Sequence, residues 1–395
     1  MSRVLALAIS ASLSAAALSA PLATIDSEQR GAAAYVTMTY ATSYSEGIAV
    51  NMVQDSLIIG ELSLQRLNTV TTPAALRAMP GGLSLPCANG GTVTTRLARG
   101  PIRALDIEWS NCQLVSWNPT MILTGPGQII LFTDSFTPTY VAAITLGSAN
   151  RNVVMPWGYT NSEETYTRLL TRNVRMIGKI QATTSLAGNG SLSTLYTVNG
   201  FRDEVNDRVF TDPGHAPEHL VFHSEIRNGI YGDSFSWKDD GFYFDDEMRF
   251  VTGDYTSSVT EPYYGTSTVK WSVDNLRTHR ITDYANWKGS YSYDGGFSWT
   301  WTPNNTAGCL GGRFTVKTRA PFVIPNLDNY GVMDSGELGI NNGAATYRAY
   351  SAATVPPELP PTSLTLLSMT VRDVGTFNYD YGLAPDPVRD ASQCH

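Results

Sequence analysis

Apolar and polar residues alternate along much of this chain. From Ile102 to Trp109, Leu105, Ile107 and Trp109 share one face while Asp106, Glu108 and Ser110 share the other, the two-residue period of a half-buried strand. The β-branched run Thr92 to Leu97 precedes it, with Gly100-Pro101 between, so the two segments predict a β-hairpin. Met121 to Leu123, Gln128 to Phe132 and Tyr140 to Leu146 follow as short apolar runs, split by Gly125-Pro126-Gly127 and by Pro138. Val174 to Thr184 and Ser191 to Val198 flank Gly188-Asn189-Gly190, a tight-turn signal.

The sharpest alternation lies further on. Trp287, Gly289, Tyr291 and Tyr293 alternate with Lys288, Ser290 and Ser292; after Asp294-Gly295-Gly296, Phe297, Trp299 and Trp301 alternate with Ser298, Thr300 and Thr302. The pattern predicts a hairpin with one aromatic face, turning at Asp294-Gly295-Gly296. Phe235 and Trp237, Asp239-Asp240-Gly241, then Phe242 and Phe244 make a shorter relative.

Helical spacing is rarer. Val50, Val53, Leu57, Leu64 and Leu67 predict a helix over Gly47 to Leu67, and Thr72-Pro73 opens a short one through Met79. The expected fold is therefore all-β: an antiparallel sandwich or broad curled sheet built from β-hairpins, with one or two short N-terminal helices.

Composition adds a compartment. Met1-Ser2-Arg3, an apolar run from Val4 to Leu18, then small residues and Pro21 follow the plan of a secretory signal peptide over 1–23. No later stretch is apolar enough for a membrane helix. An exported chain with a periplasmic, cell-surface or extracellular destination is expected. Beyond the leader the reading divides into 24–200, an N-terminal β region; 201–355, an aromatic and acidic β region; and 356–395, a Pro-rich linker, final strand and tail. A formal net charge of −8 excludes nucleic acid as a natural partner. The thirteen Asp and Glu against five Lys and Arg from Arg202 to Asp254 carry the same excess, so the acidity is local.

Four cysteines suit two bridges in an oxidising compartment. Cys87 and Cys112 bracket the first hairpin and are expected to pair; Cys309 would then pair with Cys394, or both would stay as thiols. Cys87 to Thr94 is similar to Cys309 to Val316, where a cysteine and a glycine pair again lead into a strand, the mark of an internal duplication. The leader, the start Cys87-Ala88-Asn89-Gly90-Gly91-Thr92-Val93-Thr94 and the finish Trp109-Ser110-Asn111-Cys112 resemble a group of uncharacterised secreted proteobacterial β proteins. Ser335 to Gly343 is similar to a second strand motif of theirs. The resemblance implies compartment and fold, and no activity.

Candidate chemistry is sparse. His215, His219 and His223 are four apart, but the alternation around them reads as a strand, where such residues lie about 13 Å from one another and cannot share one zinc. His223 with Glu225 keeps a common face. Asn326 to Glu337 fits much of a twelve-residue calcium loop, with Asp328, Asp334 and Glu337 as oxygen ligands and Gly331 at the sixth position. Tyr330 spoils the fifth, and the same stretch reads as a turn between strands. Calcium is the one cofactor the sequence raises. Tyr231 to Ser236 is similar to the nucleophile block of GDS-type esterases but sits mid-chain among β-hairpins, and Asp390 stands five residues before His395 instead of three. Carboxylates crowd Asp239 to Glu247, yet no spacing selects an acid and base pair.

The aromatic face offers two readings, core packing or a platform on which sugar rings stack, with Trp287, Tyr291, Trp299 and Trp301 as its ligand-binding residues. The expected role is a non-catalytic structural or surface protein. Its competitors are a carbohydrate-binding or carbohydrate-degrading protein, with polysaccharide or other surface proteins as partner, and an outer-membrane β-barrel.

Overall fold

The computed structural model describes residues 21–48, 63–88, 90–97, 104–113, 120–131, 141–160, 165–187, 191–210, 218–238, 243–261, 265–302, 310–328, 332–381 and 387–392. Sixteen strands form one open antiparallel sheet, each strand hydrogen-bonded to its neighbours in sequence. They are β1 (Leu83–Pro86), β2 (Thr92–Leu97), β3 (Ala104–Gln113), β4 (Thr120–Leu131), β5 (Val141–Thr160), β6 (Thr165–Ala187), β7 (Ser191–Phe210) and β8 (Glu218–Lys238). The second half is β9 (Tyr243–Glu261), β10 (Gly265–Asp283), β11 (Lys288–Thr302), β12 (Gly312–Ile324), β13 (Ser335–Ile340), β14 (Ala345–Ser351), β15 (Thr365–Val371) and β16 (Gly375–Asp380). The all-β expectation holds, in its broad-sheet form.

Among the described residues, α1 (Glu28–Ile48), α2 (Pro73–Arg77) and α3 (Pro387–Ser392) accompany the sheet. The helix expected over Gly47 to Leu67 is described only at its ends, as the last residues of α1 and a helical run over 63–68. α2 starts as its sequence predicts, with Thr72 capping the Ala75 amide and Pro73 in the first turn.

α1 lies across the strands. Its Gly31 carbonyl accepts from the Tyr347 hydroxyl of β14 at 2.7 Å, its Thr37 hydroxyl donates to the Leu310 carbonyl at 3.3 Å, and its Ser45 hydroxyl accepts from Trp271 Nε1 of β10 at 2.8 Å. Fourteen residues of helix rise about 21 Å, and the four strand steps from β14 to β10 span about 19 Å, so the helix and the sheet keep pace. Ser27 caps the helix, accepting the Arg30 amide. Residues 31–34 and 36–38 are buried, and a Cβ on Gly31 would meet Met369 Sδ at 2.7 Å and Val371 Cγ2 at 2.8 Å. Only glycine lets the helix approach β15 this closely.

The inner face carries the core. Val93, Leu105, Ile107 and Trp109 of the first strands join Phe250, Tyr255, Trp271, Phe297, Trp299, Phe314, Leu338, Tyr347 and Met369 in one buried cluster with Ala32, Ala34 and Met38 of α1. The outer face of β9 to β14 is polar and paired. Arg277 meets Glu247 at 2.5 Å, His279 meets Asp245 at 2.7 Å, Lys317 meets Asp294 at 2.9 Å, and Glu337 accepts from both Arg319 and Arg348. Exposed pairs of this kind each contribute at most about 1 kcal/mol.

Two turn signals prove to lie inside strands. The expected turn at Asp294-Gly295-Gly296 does not form: the chain runs straight through as β11, with Asp294 opposite Arg277 and Gly296 opposite Asp274. Two residues of β10, Asn275 and Leu276, oppose the single Gly295, a β-bulge. Gly295 takes φ +112° and a Cβ there would overlap the Asn275 carbonyl. Likewise Gly125-Pro126-Gly127 stays within β4: Pro126 pairs with Glu108 of β3 and falls where the register against β5 shifts between Thr124 and Gly127. The signals at 188–190 and 239–241 do separate strands, Ala187 pairing with Ser191 and Lys238 with Tyr243.

The first hairpin is closed as expected by a disulfide between Cys87 and Cys112, Cα atoms 5.4 Å apart. Cys309 and Cys394 lie outside the described residues. The tail is docked and does not hang free: β16 pairs with β15, and Val388 of α3 is buried in the core.

Two outcomes follow from this packing. Non-reducing peptide mapping should recover a Cys87–Cys112 peptide pair, and the double Ser variant should lose about 3 kcal/mol of unfolding free energy in denaturant titration. Burial, helped by Glu46, pushes the Tyr293 phenol up to about 12, and burial raises Tyr255, Tyr347 and Tyr379 further. The folded state therefore favours the protonated phenols. This stabilisation is complete below pH 10 and is lost as pH climbs through 12, so a fraction of the phenolate absorbance should appear together with loss of the near-ultraviolet circular dichroism signal.

Candidate functional site

The turn between β10 and β11 carries the largest exposed aromatic pair among the described residues. β10 ends at Asp283, residues 284–287 turn, and β11 begins at Lys288. An Asx arrangement forms the turn: the Asp283 carboxylate accepts the Asn286 amide at 3.0 Å and Asn286 Nδ2 at 2.8 Å. Those two bonds hold the Asp283 carboxyl below its ordinary range. From the other side, Trp287 gives its carbonyl to the Leu327 amide at 3.0 Å, and Leu327 is buried.

Fixed in this way, Trp287 is 51% exposed and Tyr284 40%, so each ring offers a face to solvent. Their centroids are 6.1 Å apart with planes at 88°, and Phe244 at the start of β9 meets Tyr284 edge-on at 5.7 Å. The three rings make a stepped apolar ledge at the ends of the strands. Trp287 holds φ at +51°, a left-handed conformation that costs a non-glycine residue roughly 1–2 kcal/mol. A bulky aromatic kept in that conformation and left exposed contributes little to the core, and such strain concentrates at binding sites.

The expected aromatic face splits along its length. Trp287 stands at the tip. Tyr291 lies half-buried with the Arg280 guanidinium 5.4 Å from its ring centre. Trp299 is 1% exposed, packed on Trp271 at 5.7 Å and stacked with Tyr44 of α1 at 6.1 Å. Trp301 belongs to β11 opposite Val269, its backbone alone being described. Of the four residues, Trp299 is core and Trp287 is surface.

The metal-ligating candidates are placed apart. His223 and Glu225 sit two apart on β8, opposite Ser258 and Thr256 of β9. Asp334 accepts the Ser351 hydroxyl at 2.5 Å, Glu337 is claimed by two guanidiniums, and Asp328 lies in the turn after β12, its amide bonded to Asn326. Among the described residues no three His, Cys, Asp or Glu side chains gather to hold a metal ion. Tyr231 to Ser236 run within β8, flanked by β7 and β9 on both edges, and not at the strand-to-helix turn a nucleophile block occupies.

Tyr284 and the ledge it forms were missed by sequence reasoning. The available signal was local: Asp283-Tyr284-Ala285-Asn286-Trp287 places aromatic residues on both sides of an Asx turn. No family model, curated protein or solved structure matches the chain.

Replacing Trp287 with Gly separates strain from function. The Gly variant should stay within about 1 kcal/mol of the parent in urea unfolding, because relief of the left-handed cost offsets the lost ring contact with Tyr284 and the added freedom of the unfolded chain.

Proposed function

We propose that this chain is an exported, non-catalytic surface module that holds carbohydrate on the ledge of Tyr284, Trp287 and Phe244. The observation that carries the reading is the exposure of two rigidly braced rings, one of them in a strained conformation. Sugar rings present flat faces of C–H groups that stack on aromatic faces, and Tyr and Trp supply such area at low entropic cost.

Export rests on the leader of residues 1–23 and is supported by the Cys87–Cys112 disulfide, a bond of oxidising compartments. Leu22 bridges Arg313, and the Ala23 amide donates to the Arg313 carbonyl at 2.8 Å. A leader removed before Leu22 leaves that pairing intact, which moves the expected boundary slightly upstream. No described helix is long and apolar enough to cross a membrane. Against the barrel reading stands the outer face of β9 to β14, where Arg, Lys, Asp and Glu side chains pair; lipid-facing strands carry an apolar band there.

Retention on insoluble polysaccharides, screened by co-sedimentation, tests the proposal. The parent should sediment with at least one of them, and Trp287→Ala and Tyr284→Ala should each weaken retention about tenfold while circular dichroism stays unchanged. Trp299→Ala is the contrasting variant: it should cost about 3–5 kcal/mol of stability through a core cavity. Retention that survives loss of both tip rings overturns the reading.

A further inference from the structure

A second site lies on the polar outer face, at the turn joining β13 to β14. Asn341, Asn342 and Gly343 all take left-handed backbone, φ +49°, +56° and +77°, and the chain thereby exposes a bare glycine among cationic side chains. Around the point where a Gly343 Cβ would sit, Arg319 Nη2 stands at 2.9 Å, Arg372 Nη2 at 3.6 Å and Thr346 Oγ1 at 3.9 Å. Three hydrogen-bond donors from β12, β14 and the end of β15 therefore ring one spot on the surface.

Each guanidinium is braced, Arg372 through the same Nη2 that faces Gly343. Arg319 donates through Nη1 to Glu337 at 2.8 Å, leaving Nη2 toward Gly343. Arg372 donates to the Asn342 carbonyl at 2.7 Å. Arg348 donates through Nε to the other Glu337 oxygen at 2.9 Å. Arg319 and Arg348 thus share the single carboxylate of Glu337, which they pull below its usual range, while Arg372 is held by a backbone carbonyl and not by a carboxylate. Charge is left over, on a chain whose total is −8.

We propose that Arg319, Arg372 and Thr346 form a binding site for one oxyanion group, a phosphate or a sulfate, seated over Gly343. Two guanidinium nitrogens and a hydroxyl converging on one spot suit the spread oxygens of a tetrahedral anion, and Arg serves such an anion better than Lys. A glycine at the centre is required by the same logic, because any side chain would occupy the seat. The site is independent of the aromatic ledge and stands whether or not the ledge binds sugar.

Titrating inorganic phosphate into the mature protein, at constant ionic strength set by chloride, should move the Arg319 and Arg372 side-chain Nε–H signals along a saturable curve. The Arg96 signal, on β2 near the opposite edge of the sheet, should stay in place. Arg372→Gln should weaken binding at least about tenfold, and Arg372→Lys should recover only part of it, while the circular dichroism of both variants matches the parent. Dextran sulfate identifies the source: competition with phosphate assigns the site to an ester group on a polymer, and its failure to compete assigns it to the free ion, both supporting the proposal. Shifts that stay linear in phosphate, or that persist unchanged in Arg372→Gln, overturn it. Trp287→Ala, run in the same titration, should leave phosphate binding as it was, so failure of the ledge and failure of this site are told apart.

Discussion

The fold depends on one helix that the sheet cannot do without. An open antiparallel sheet has an apolar face that must be covered, and no second sheet faces it across the described strands. α1 supplies the cover. Its crosswise course lets a single 21-residue element reach β14 and β15 with its first turns and β10 and β11 with its last. Gly31 and Ala32 permit close approach at one end, where Tyr347 and Met369 pack. At the other, Ser45 takes up the indole N–H of Trp271, which would otherwise be a buried donor without a partner. Tyr255 then stacks on the far side of Trp271 at 5.1 Å with planes 6° apart, so the anchoring of the helix and the order of the aromatic core are one arrangement.

Long strands need relief, and the glycines provide it. β10 carries nineteen residues and β11 fifteen; the right-handed twist of paired strands accumulates with length. The bulge at Gly295 and the register break at Gly125 absorb it. This explains why the same residues read as turns in the sequence. Gly-rich triplets mark where ordinary extended backbone fails, and both a reversal and a bulge satisfy that mark. Only the neighbours decide: β11 has partners along both edges on either side of Gly295, so continuing the strand keeps more hydrogen bonds than reversing it.

Much of the β architecture was legible because its alternation is local. Leu105, Ile107 and Trp109 face the core as their period requires, and the Cys87–Cys112 pairing follows from the hairpin they close. α1 was not legible, for the opposite reason. A helix buried between the sheet on one side and α3 on another shows no polar stripe, and its buried hydroxyls disguise it further, Thr42 bonding the Met38 and Thr39 carbonyls within the helix while Thr37 and Ser45 find partners in Leu310 and Trp271. The aromatic face was half legible. Alternation told which side of β11 the rings share; it could not tell that the interior reaches Trp299 and stops short of Trp287.

That boundary decides where this molecule can meet anything else. Over β10 to β15 the inner face is covered by α1: Trp271 is hydrogen-bonded, Trp299 is stacked, and Tyr347 is tied to Gly31. Among the described residues, the ends of the strands and the polar outer face are what this packing leaves open. The two sites differ accordingly. At the strand ends, where the ladder stops and the turn must be braced by Asp283 and Leu327, apolar rings can stand clear of the core. On the outer face, where every second residue of neighbouring strands is brought to within about 5 Å of its partner, charges from distant parts of the sequence converge: Arg319 and Arg348 share Glu337, and Arg319 and Arg372 flank Gly343.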